Sequence, residues 1–364
     1  MLSSTRRNDL RVIEGESKHI RSNTSIDEAL PFDGRLSSLL GLDADGQIGA
    51  ILRDALISPV NELISNHGKK IRGTLVNLAF RLLNHEPRSS VVSARGIRVG
   101  AQVLELIHAG SLIVDDIEDG SQMRRGRPAL HVRHGVPLAL NAGNWLYFWP
   151  FQLVADIGLP KETTLAAYEA YQRTLLRAHF GQALDLGTRV DSLDQDCVSE
   201  ICLASLALKT GALTGFAMVL GGLIAGADET TALLLDDFGR ELGVALQMFD
   251  DIGNVTGARE PAKQYEDFLL CRPSFAWAWA AANSSPKDYC RFVDAVAKLP
   301  DPNEIEEWLS KHDLVGAGRA SATRHMEQAF AKLIADLDGR RITWSRCAYD
   351  ELRGLGEEIA SAYE

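Results

Sequence analysis

The sequence predicts an all-α protein built as one helical domain. Apolar residues recur with helical spacing from about residue 47 almost to the end of the 364-residue chain. Strand-type alternation of apolar and polar residues is scarce over the same length. Apolar residues make up 46% of the composition, which is enough for a sizeable core. We expect roughly ten helices or more, in a bundle whose site is built by side chains on facing helices.

The chain is expected to divide into a tail and a domain. Residues 1–35 are polar and irregular, so we expect a mobile N-terminal tail there and the helical domain over residues 36–364. Most of the twelve prolines can lie between helices, but Pro150 falls inside an apolar run and is expected to kink or end its helix. Residues 255–273 are predicted to form a charged loop, and residues 284–303 to lead into a C-terminal helical subregion.

Charge and cysteine content argue against several classes of protein. The formal net charge is −11, which disfavours nucleic acid as the main partner. No apolar run reaches about 18 residues, so no transmembrane segment is expected, and the first residues lack the apolar region of a secretory signal. The five cysteines are odd in number and show no CxxC spacing, so we expect reduced thiols in a cytoplasmic protein.

Residues 101–128 form the most informative stretch of the sequence. Apolar positions with helical spacing lead there into a stripe of polar side chains. At about 100° per residue, His108, Asp115 and Asp119 lie within roughly 40° of one another around the helix. Asp115 and Asp119 are one turn apart, so their carboxylates point the same way. Two like charges at that spacing are costly on a largely buried helix unless a positive group lies between them.

A divalent cation is one group that could lie between these carboxylates. An oxygen-only site suits a hard ion, and Mg²⁺ typically takes one or two carboxylates together with substrate phosphates. Arg124 and Arg125 follow at the predicted helix end near Gly120. A lone acidic motif is more often the solvated end of a helix, but here an apolar run leads directly into the acids. The stretch therefore predicts a diphosphate site bridged by Mg²⁺.

Two basic clusters are candidates for binding the anionic part of such a ligand. Lys69 and Arg72 are three residues apart and would share a helix face, where an arginine can bind a phosphate through two N–H groups. Taken alone, this cluster is more typical of solvated surface. Lys209 and Thr210 open an apolar helix rich in small residues, where the lysine could equally extend its charge to water.

A second acidic cluster repeats the spacing of the first. Asp250 and Asn254 are one turn apart, as Asp115 and Asp119 are, and Gln247 lies almost one turn before them. The chain between the two clusters is long enough to place them on facing helices. The two acidic clusters could therefore lie on facing helices.

These four segments, in this order, resemble those of the trans-isoprenyl diphosphate synthases, or polyprenyl synthetases. The similarity covers roughly residues 60–280 and is greatest to the geranylgeranyl diphosphate synthases of eukaryotic type. Like that subgroup, the chain has a single glycine before Lys69, Gly73 where many members have proline, and Asn254 where many have aspartate. The resemblance implies an isoprenoid-synthase-type helical bundle around a central apolar cavity, and a homodimer.

The resemblance also implies a role for each matched residue. The residues implied to bind the diphosphate of isopentenyl diphosphate are Lys69, Arg72, His108 and Arg125. Those implied to bind the allylic diphosphate are Arg124, Lys209, Thr210, Gln247, Lys263 and Arg272. The ligands of about three Mg²⁺ ions would be Asp115, Asp119 and Asp250. Together, the residues implied to act directly in catalysis are Asp115, Asp119, Arg124, Lys209 and Asp250.

Two of these positions depart from the family pattern, and one further pair matches it. Arg272 stands where the family usually has lysine, so it keeps the charge but not the geometry. Lys263 lies one residue from the expected position, in a loop that looks short. Gln182 and Asp185 match a pair that supports the site in the family.

The resemblance implies a reaction of ionisation, condensation and elimination between an allylic diphosphate and isopentenyl diphosphate. A class I terpene cyclase uses similar acidic motifs but has no second substrate and would not need Lys69, Arg72 and His108. A non-catalytic subunit of a heteromeric synthase would tend to lose the acidic ligands, which this chain keeps. Both alternatives, and an unrelated helical scaffold, are therefore less favoured.

Product length is predicted from five positions. Gly110 and Ser111 are small and lie about one turn before Asp115, so they should border the top of the cavity and leave it open. Tyr147, Phe148 and His179 match positions that limit chain growth in the eukaryotic-type subgroup, although an aromatic segment of this kind is equally typical of core packing. We expect a C20 product, geranylgeranyl diphosphate; a C15 product or products of C25 and longer remain the alternatives.

Overall fold

The structure is a computed structural model that describes residues 29–31, 34–44, 46–65, 71–84, 91–258 and 261–363. The described chain contains seventeen α-helices and a single two-stranded antiparallel ribbon, Met123–Arg124 with Arg127–Pro128. The all-α prediction is therefore confirmed. The helices are α1 Gly34–Leu40, α2 Gln47–Leu52, α3 Ser58–Ile64, α4 Ile71–Leu83, α5 Val91–Glu118, α6 Leu130–His134, α7 Val136–Asp156, α8 Lys161–Gly187, α9 Gln195–Leu206, α10 Ala212–Ile224, α11 Glu229–Thr256, α12 Glu266–Leu269, α13 Phe275–Asn283, α14 Pro286–Val296, α15 Asn303–His312, α16 Leu314–Gly339 and α17 Arg346–Ser361.

Helix α10 lies at the centre of the bundle. Every residue from Ala212 to Leu223 is buried, as expected for a helix that is apolar on all sides. It packs against α11 and α4 and also contacts α8 and α5. Lys209 lies just before it, in a π-helical turn, Ala207–Gly211, that joins α9 to α10. Lys209 thus lies at the N-terminal end of the central helix, where this helix meets the site.

The two acidic motifs lie at the C-terminal ends of long helices. Helix α5 packs along α7 and ends at Glu118, and α11 packs between α10 and α16 and ends at Thr256. Helix α11 begins at a side-chain cap, since Asp228 accepts a hydrogen bond from the Thr231 N–H at 2.8 Å. Both helices are long enough to carry their acids from the core to one end of the bundle.

Two boundary expectations need correction. Ala29 and Leu30 are buried, and the Trp149 indole donates to the Ala29 carbonyl at 2.7 Å, so packed chain begins within the stretch expected to be a tail. Residues 1–28 lie outside the described part. Helix α7 continues through Pro150, which is buried, so the proline does not end the helix. The packing of α7 against α5 offsets the missing proline N–H.

The C-terminal helices complete the bundle rather than form a separate unit. Helix α17 lies along α4, where Arg81 and Glu351 form two parallel hydrogen bonds of 2.6 and 2.5 Å. The Ser345 N–H also donates to the Leu82 carbonyl at 2.8 Å, just before α17 begins. These contacts join residues far apart in sequence and fix the path of the last helix.

Two segments, Ala94–Glu118 and Gln195–Ile224, are long and apolar enough to cross a membrane by length and composition alone. In the described fold, 61% and 67% of their apolar windows are buried inside the bundle. Core helices pass the same test, and these two helices bear the site.

Candidate active site

A cavity of about 1040 Å³ opens at the acidic ends of α5 and α11, and a smaller one of about 190 Å³ adjoins it. Most of the predicted site residues line the larger cavity: Arg72, His108, Ser111, Asp115, Arg124, Arg125, Tyr147, His179, Lys209, Thr210, Gln247, Asp250 and Lys263. Asp119 and Arg272 line the smaller one. Lys69 lies outside the described residues. The fold therefore brings residues from across the sequence to one place.

The first acidic motif is held by cations. Lys209 Nζ lies 3.1 Å from Asp115 Oδ1, and Arg272 Nη2 lies 3.2 Å from Asp119 Oδ1. Arg124 Nη2 approaches Asp115 Oδ2 at 3.8 Å. Burial and the nearby Asp115 carboxylate raise the pKa of Asp119 to about 6. The two carboxylates of the first motif are thus surrounded by three cationic side chains.

Asp116 is a site residue that sequence reasoning missed. It is only 2% exposed, and it accepts a hydrogen bond from Arg124 Nε at 2.8 Å, with a second contact from Arg124 Nη2. One residue along a helix turns the side chain by about 100°, so Asp116 points away from the face of Asp115. Asp116 therefore fixes the guanidinium of Arg124 at the cavity wall. The feature of the sequence that could have indicated this role is the position of Asp116 between an apolar run and Arg124.

Lys209 joins three elements. Its ammonium donates to Asp185 Oδ2 on α8 at 2.9 Å and to Asp115 Oδ1 on α5 at 3.1 Å. Burial alone would lower the pKa of Lys209, but the two carboxylates together raise it above its ordinary value. The neighbouring Gln182 donates to Asp115 at 3.2 Å and to Glu118 at 2.7 Å. The Gln182–Asp185 pair thus orients both a cation and a carboxylate of the site.

A second basic cluster also lines the cavity. It consists of Arg72, His108 and Arg125, with Arg124 nearby. Arg72 Nε is buried and has no hydrogen-bond partner within the described part of the chain. Burial, together with the nearby Arg72 and Arg125, holds the pKa of His108 well below its usual value, so its imidazole is neutral. Two guanidinium groups and a neutral imidazole form a set of donors suited to an anion.

The second acidic motif is built around hydrogen bonds. The Tyr363 hydroxyl donates to Asp250 Oδ1 at 2.5 Å, and Gln247 Nε2 lies 3.4 Å from Asp250 Oδ2. Gln247 also donates to Asp251 at 2.8 Å and accepts from the Thr210 hydroxyl at 2.8 Å. Asp251 is 4% exposed and accepts from the Phe275 N–H at 2.6 Å, at the start of α13. Asp251 and Tyr363 were both missed by sequence reasoning.

Asn254 organises the loop that follows. Its side-chain amide donates to the Lys263 carbonyl at 2.9 Å, and the Asp267 N–H donates to its oxygen at 3.5 Å. Lys263 Nζ lies 3.8 Å from Glu266, at the rim of both cavities. Burial and the carboxylates of Asp250 and other nearby acids raise the pKa of Asp267 to about 7. The loop therefore brings both a lysine and further carboxyl groups to the site.

The predictions on product length are only partly consistent with the structure. Tyr147 and His179 line the cavity and pack edge to face, with ring centroids 5.1 Å apart. The prediction that Phe148 lines the cavity is wrong. Phe148 is 73% exposed, because it is the next position after Tyr147 on α7 and its side chain points away from that of Tyr147. Ser111 lines the cavity, but Gly110 does not. A side-chain Cβ at residue 110 would lie 2.8 Å from the Leu146 Cβ, so Gly110 allows α5 and α7 to pack closely.

The donor chemistry of the site fits Mg²⁺. Asp115, Asp119 and Asp250 present carboxylate oxygens from two helices toward adjoining cavities, and hard cations prefer such ligands. Within the described chain, no group of three or more histidine, cysteine or acidic side chains is close enough to hold a metal by itself. Oxygen atoms of a bound diphosphate would supply the remaining ligands, which is the usual arrangement for this ion.

Sequence comparison places this architecture among known proteins. The polyprenyl synthetase family model matches residues 53–311. A geranylgeranyl diphosphate synthase from Sulfolobus acidocaldarius is 34% identical over 53% of this chain and 56% of its own length. A short chain isoprenyl diphosphate synthase from Methanothermobacter thermautotrophicus is 34% identical over 79% of this chain and 86% of its own. The matched region thus spans little more than half the length of the first relative and most of the second.

The chain is also similar to fungal proteins and to solved structures. A geranylgeranyl pyrophosphate synthase from Penicillium janthinellum is 32% identical over 68% of this chain and 64% of its own length. A geranylgeranyl pyrophosphate synthase from Corynebacterium glutamicum, solved with isoprenyl diphosphate and magnesium, has the same fold. Its TM-score is 0.70 at 23% identity, over 90% of this chain and 94% of that one. Since the family model covers more than half of the sequence, the chain belongs to the polyprenyl synthetase family.

Proposed function

We propose that the protein condenses isopentenyl diphosphate with an allylic diphosphate and releases geranylgeranyl diphosphate and pyrophosphate. The observation that carries this proposal is that one cavity is lined both by cations paired with the first acidic motif and by a further set of donors. Arg72, His108 and Arg125 form one set, and Lys209 and Arg124 beside the first acidic motif form the other. Two anion sites on one cavity suit a reaction of two diphosphate substrates, whereas a cyclase needs one.

The first set would bind isopentenyl diphosphate. Arg72 and Arg125 offer guanidinium groups that can bind phosphate oxygens through paired N–H groups. His108 can donate one further hydrogen bond through its imidazole N–H. Lys69, outside the described residues, is proposed to add a fourth donor. These groups hold the second substrate and do not contact the bond that breaks.

The second set would bind the allylic diphosphate and stabilise its departure. Arg124 is oriented by Asp116, and Lys209 by Asp185, so both cations are fixed before substrate binds. Preorganised charges of this kind act where negative charge develops as the C–O bond breaks. The set is proposed to be completed by Thr210, Gln247, Lys263 and Arg272.

Asp115, Asp119 and Asp250 would hold about three Mg²⁺ ions with the diphosphate. Bound there, the ions would neutralise charge on the leaving group. The carboxylates come from α5 and α11, so they would hold the diphosphate from both sides. Arg272, 3.2 Å from Asp119, would balance the charge of the first motif when no ligand is present.

The rest of the cavity suits a carbocation and a growing chain. Leu112, Leu175 and Leu213 are among its lining residues, and apolar side chains of this kind would limit the access of water to the cation. The double bond of isopentenyl diphosphate would attack this cation, and a proton would then pass to the departing pyrophosphate. Tyr147 and His179 would form the floor that stops growth at C20. Burial raises the pKa of the Tyr147 hydroxyl, so the tyrosine remains neutral beside the chain.

A homodimer in the cytoplasm is proposed as the working state. Phe148, Leu176 and Phe180 are 73%, 54% and 65% exposed, and they lie on α7 and α8 beside the cavity wall. Large apolar side chains exposed on two neighbouring helices suit an interface, so a second copy would bury them. All five cysteines are unpaired, which suits a reducing compartment.

Product analysis tests the function. Pure protein with Mg²⁺, isopentenyl diphosphate and each allylic primer in turn should yield mainly the C20 diphosphate. Tyr147→Ala should shift products to C25 and longer because it opens the floor, whereas Tyr147→Phe keeps the ring and should keep the C20 product. Chromatography of the dephosphorylated products reads the chain length. Wild-type protein that consumes no isopentenyl diphosphate would contradict the proposal, and unchanged products from Tyr147→Ala would contradict the floor.

A further inference from the structure

Tyr363 contacts a proposed metal ligand from a distant part of the sequence. Its hydroxyl donates to Asp250 Oδ1 at 2.5 Å across a separation of 113 residues. The side chain lines the main cavity, yet the residue is only 6% exposed. A buried hydroxyl aimed at one oxygen of a carboxylate restricts how that carboxylate can turn.

The path of the chain holds Tyr363 at this position. Helix α17 is fixed along α4 by the Arg81–Glu351 pair, and Ile359 in its last turn also lines the cavity. The Arg319 guanidinium on α16 donates to the main-chain carbonyl of Tyr363. Contacts to two helices therefore define where the tyrosine lies.

Helix α11 is shaped to receive the ring. Gly253 is one turn after Asp250, and a Cβ at this residue would lie 2.5 Å from Tyr363 Cδ1. Any side chain at residue 253 would displace the ring, because ordinary Cβ contacts are longer. The glycine thus lets the ring lie against the helix so that the hydroxyl reaches the carboxylate one turn earlier.

We propose that Tyr363 is a positioning residue that orients Asp250 for Mg²⁺ bound with a diphosphate. The inference rests on the proposed function. The hydroxyl holds Oδ1, and Gln247 Nε2 lies 3.4 Å from Oδ2, so Tyr363 sets the orientation in which Oδ2 is presented. Metal-ligating carboxylates are commonly held by hydrogen bonds of this kind, whose removal lowers metal affinity.

The test measures metal binding directly. Mn²⁺ is titrated into protein that contains inorganic pyrophosphate, and the free ion is followed by electron paramagnetic resonance. Tyr363→Phe keeps the ring and should weaken Mn²⁺ binding by about 10-fold or more. The matched control is Tyr349→Phe on α17. The Tyr349 ring packs against Phe330 away from the cavity, so removal of its hydroxyl should leave Mn²⁺ binding unchanged. Turnover of Tyr363→Phe should recover at high Mg²⁺.

Further outcomes separate this inference from the proposed function. Gly253→Ala keeps the hydroxyl but moves the ring, and it should weaken Mn²⁺ binding like Tyr363→Phe. If both variants bind Mn²⁺ as the wild type does, Tyr363 has no positioning role even if the thermal stability of the variants falls. If the wild type itself neither binds Mn²⁺ with pyrophosphate nor turns over substrate, the proposed function is wrong, and the inference is overturned with it.

Discussion

The acidic ends of α5 and α11 begin alike and then differ. In each, the first aspartate lines the main cavity, as Asp115 and Asp250 do. The second, Asp116 or Asp251, is 2% or 4% exposed and is held by buried protein contacts, although Asp251 also lines both cavities. In both motifs the second aspartate is turned by about 100° from the first, because the two are adjacent on a helix. The second aspartate is therefore the buried one in each motif. A double aspartate in such a motif contributes one proposed ligand and one structural anchor.

The position one turn later separates the two motifs. Asp119 faces Arg272 at 3.2 Å and belongs to the adjoining cavity. Its counterpart Asn254 binds the Lys263 carbonyl and the Asp267 N–H, so it holds a loop. The first helix end therefore carries a second acid, whereas the second helix end recruits Lys263 and Asp267 through an amide. Two motifs of similar sequence can therefore bring charged groups to a site in different ways: Asp119 does so directly, and Asn254 does so by holding a charged loop.

The largest expected effect concerns the two matching acids. Asp115→Asn and Asp250→Asn should each lower turnover by about 10²-fold or more, since each removes a proposed ligand of the ion that stabilises the leaving group. Initial rates at saturating substrate and Mg²⁺ measure the effect. Asp294→Asn, at an exposed position of α14, is the matched control and should keep full activity. Normal turnover in either cavity variant would break the equivalence of the two motifs.

The buried partner in the second motif should matter for stability. Asp251→Ala removes the acceptor of the Phe275 N–H and of Gln247, so the free energy of unfolding should fall by about 2 kcal/mol. Asp250→Ala loses no backbone contact but does remove the acceptor of the Tyr363 hydroxyl, so it should lower the free energy of unfolding by less, about 1 kcal/mol. Urea denaturation without metal measures both. A larger loss in Asp250→Ala than in Asp251→Ala would reverse the assignment of anchor and ligand.

Sequence reasoning predicted what local pattern controls. Helical spacing predicted the all-α bundle and placed Asp115, Asp250, Arg72 and Lys209 on candidate faces, and these do meet at one cavity. Adjacent positions were harder to separate: Phe148 was grouped with Tyr147, although one step along α7 turns it to the surface. A residue pattern identifies an aromatic segment, but only the helix phase relative to its neighbours shows which ring faces the cavity.

Contacts that depend on distant chain were not predictable. Tyr363 meets Asp250 only because α17 packs along α4, and nothing local to Tyr363 marks it as a site residue. The same holds for Asp251, whose partner is the start of α13. Pro150 shows the converse, since tertiary packing keeps α7 continuous through a residue that disfavours helix.

The smallest expected effect tests the third position through pH. The pKa of Asp119 is about 6 in the metal-free fold, against 3.8 for the ordinary side chain. Between about pH 4 and pH 6 the folded state therefore holds a proton that the unfolded state has lost. The stability linked to this proton is complete at low pH and is lost as pH rises through 6. Asp119→Asn cannot titrate, so its free energy of unfolding should exceed that of the wild type at pH 7.5.

The expected difference is about 1–2 kcal/mol, since one pKa unit corresponds to roughly 1.4 kcal/mol and partial solvent exposure lowers the full value. It should shrink toward zero near pH 4. Urea denaturation in chelator across this range measures it, with Tyr349→Phe, whose ring packs against Phe330 away from the cavity, as the control whose difference from the wild type should not vary with pH. If the free energies of unfolding of Asp119→Asn and the wild type differed by the same amount at every pH, the pKa of Asp119 would not be raised in the folded state. The first motif would then carry no more electrostatic cost at this position than the second motif, which has the amide of Asn254.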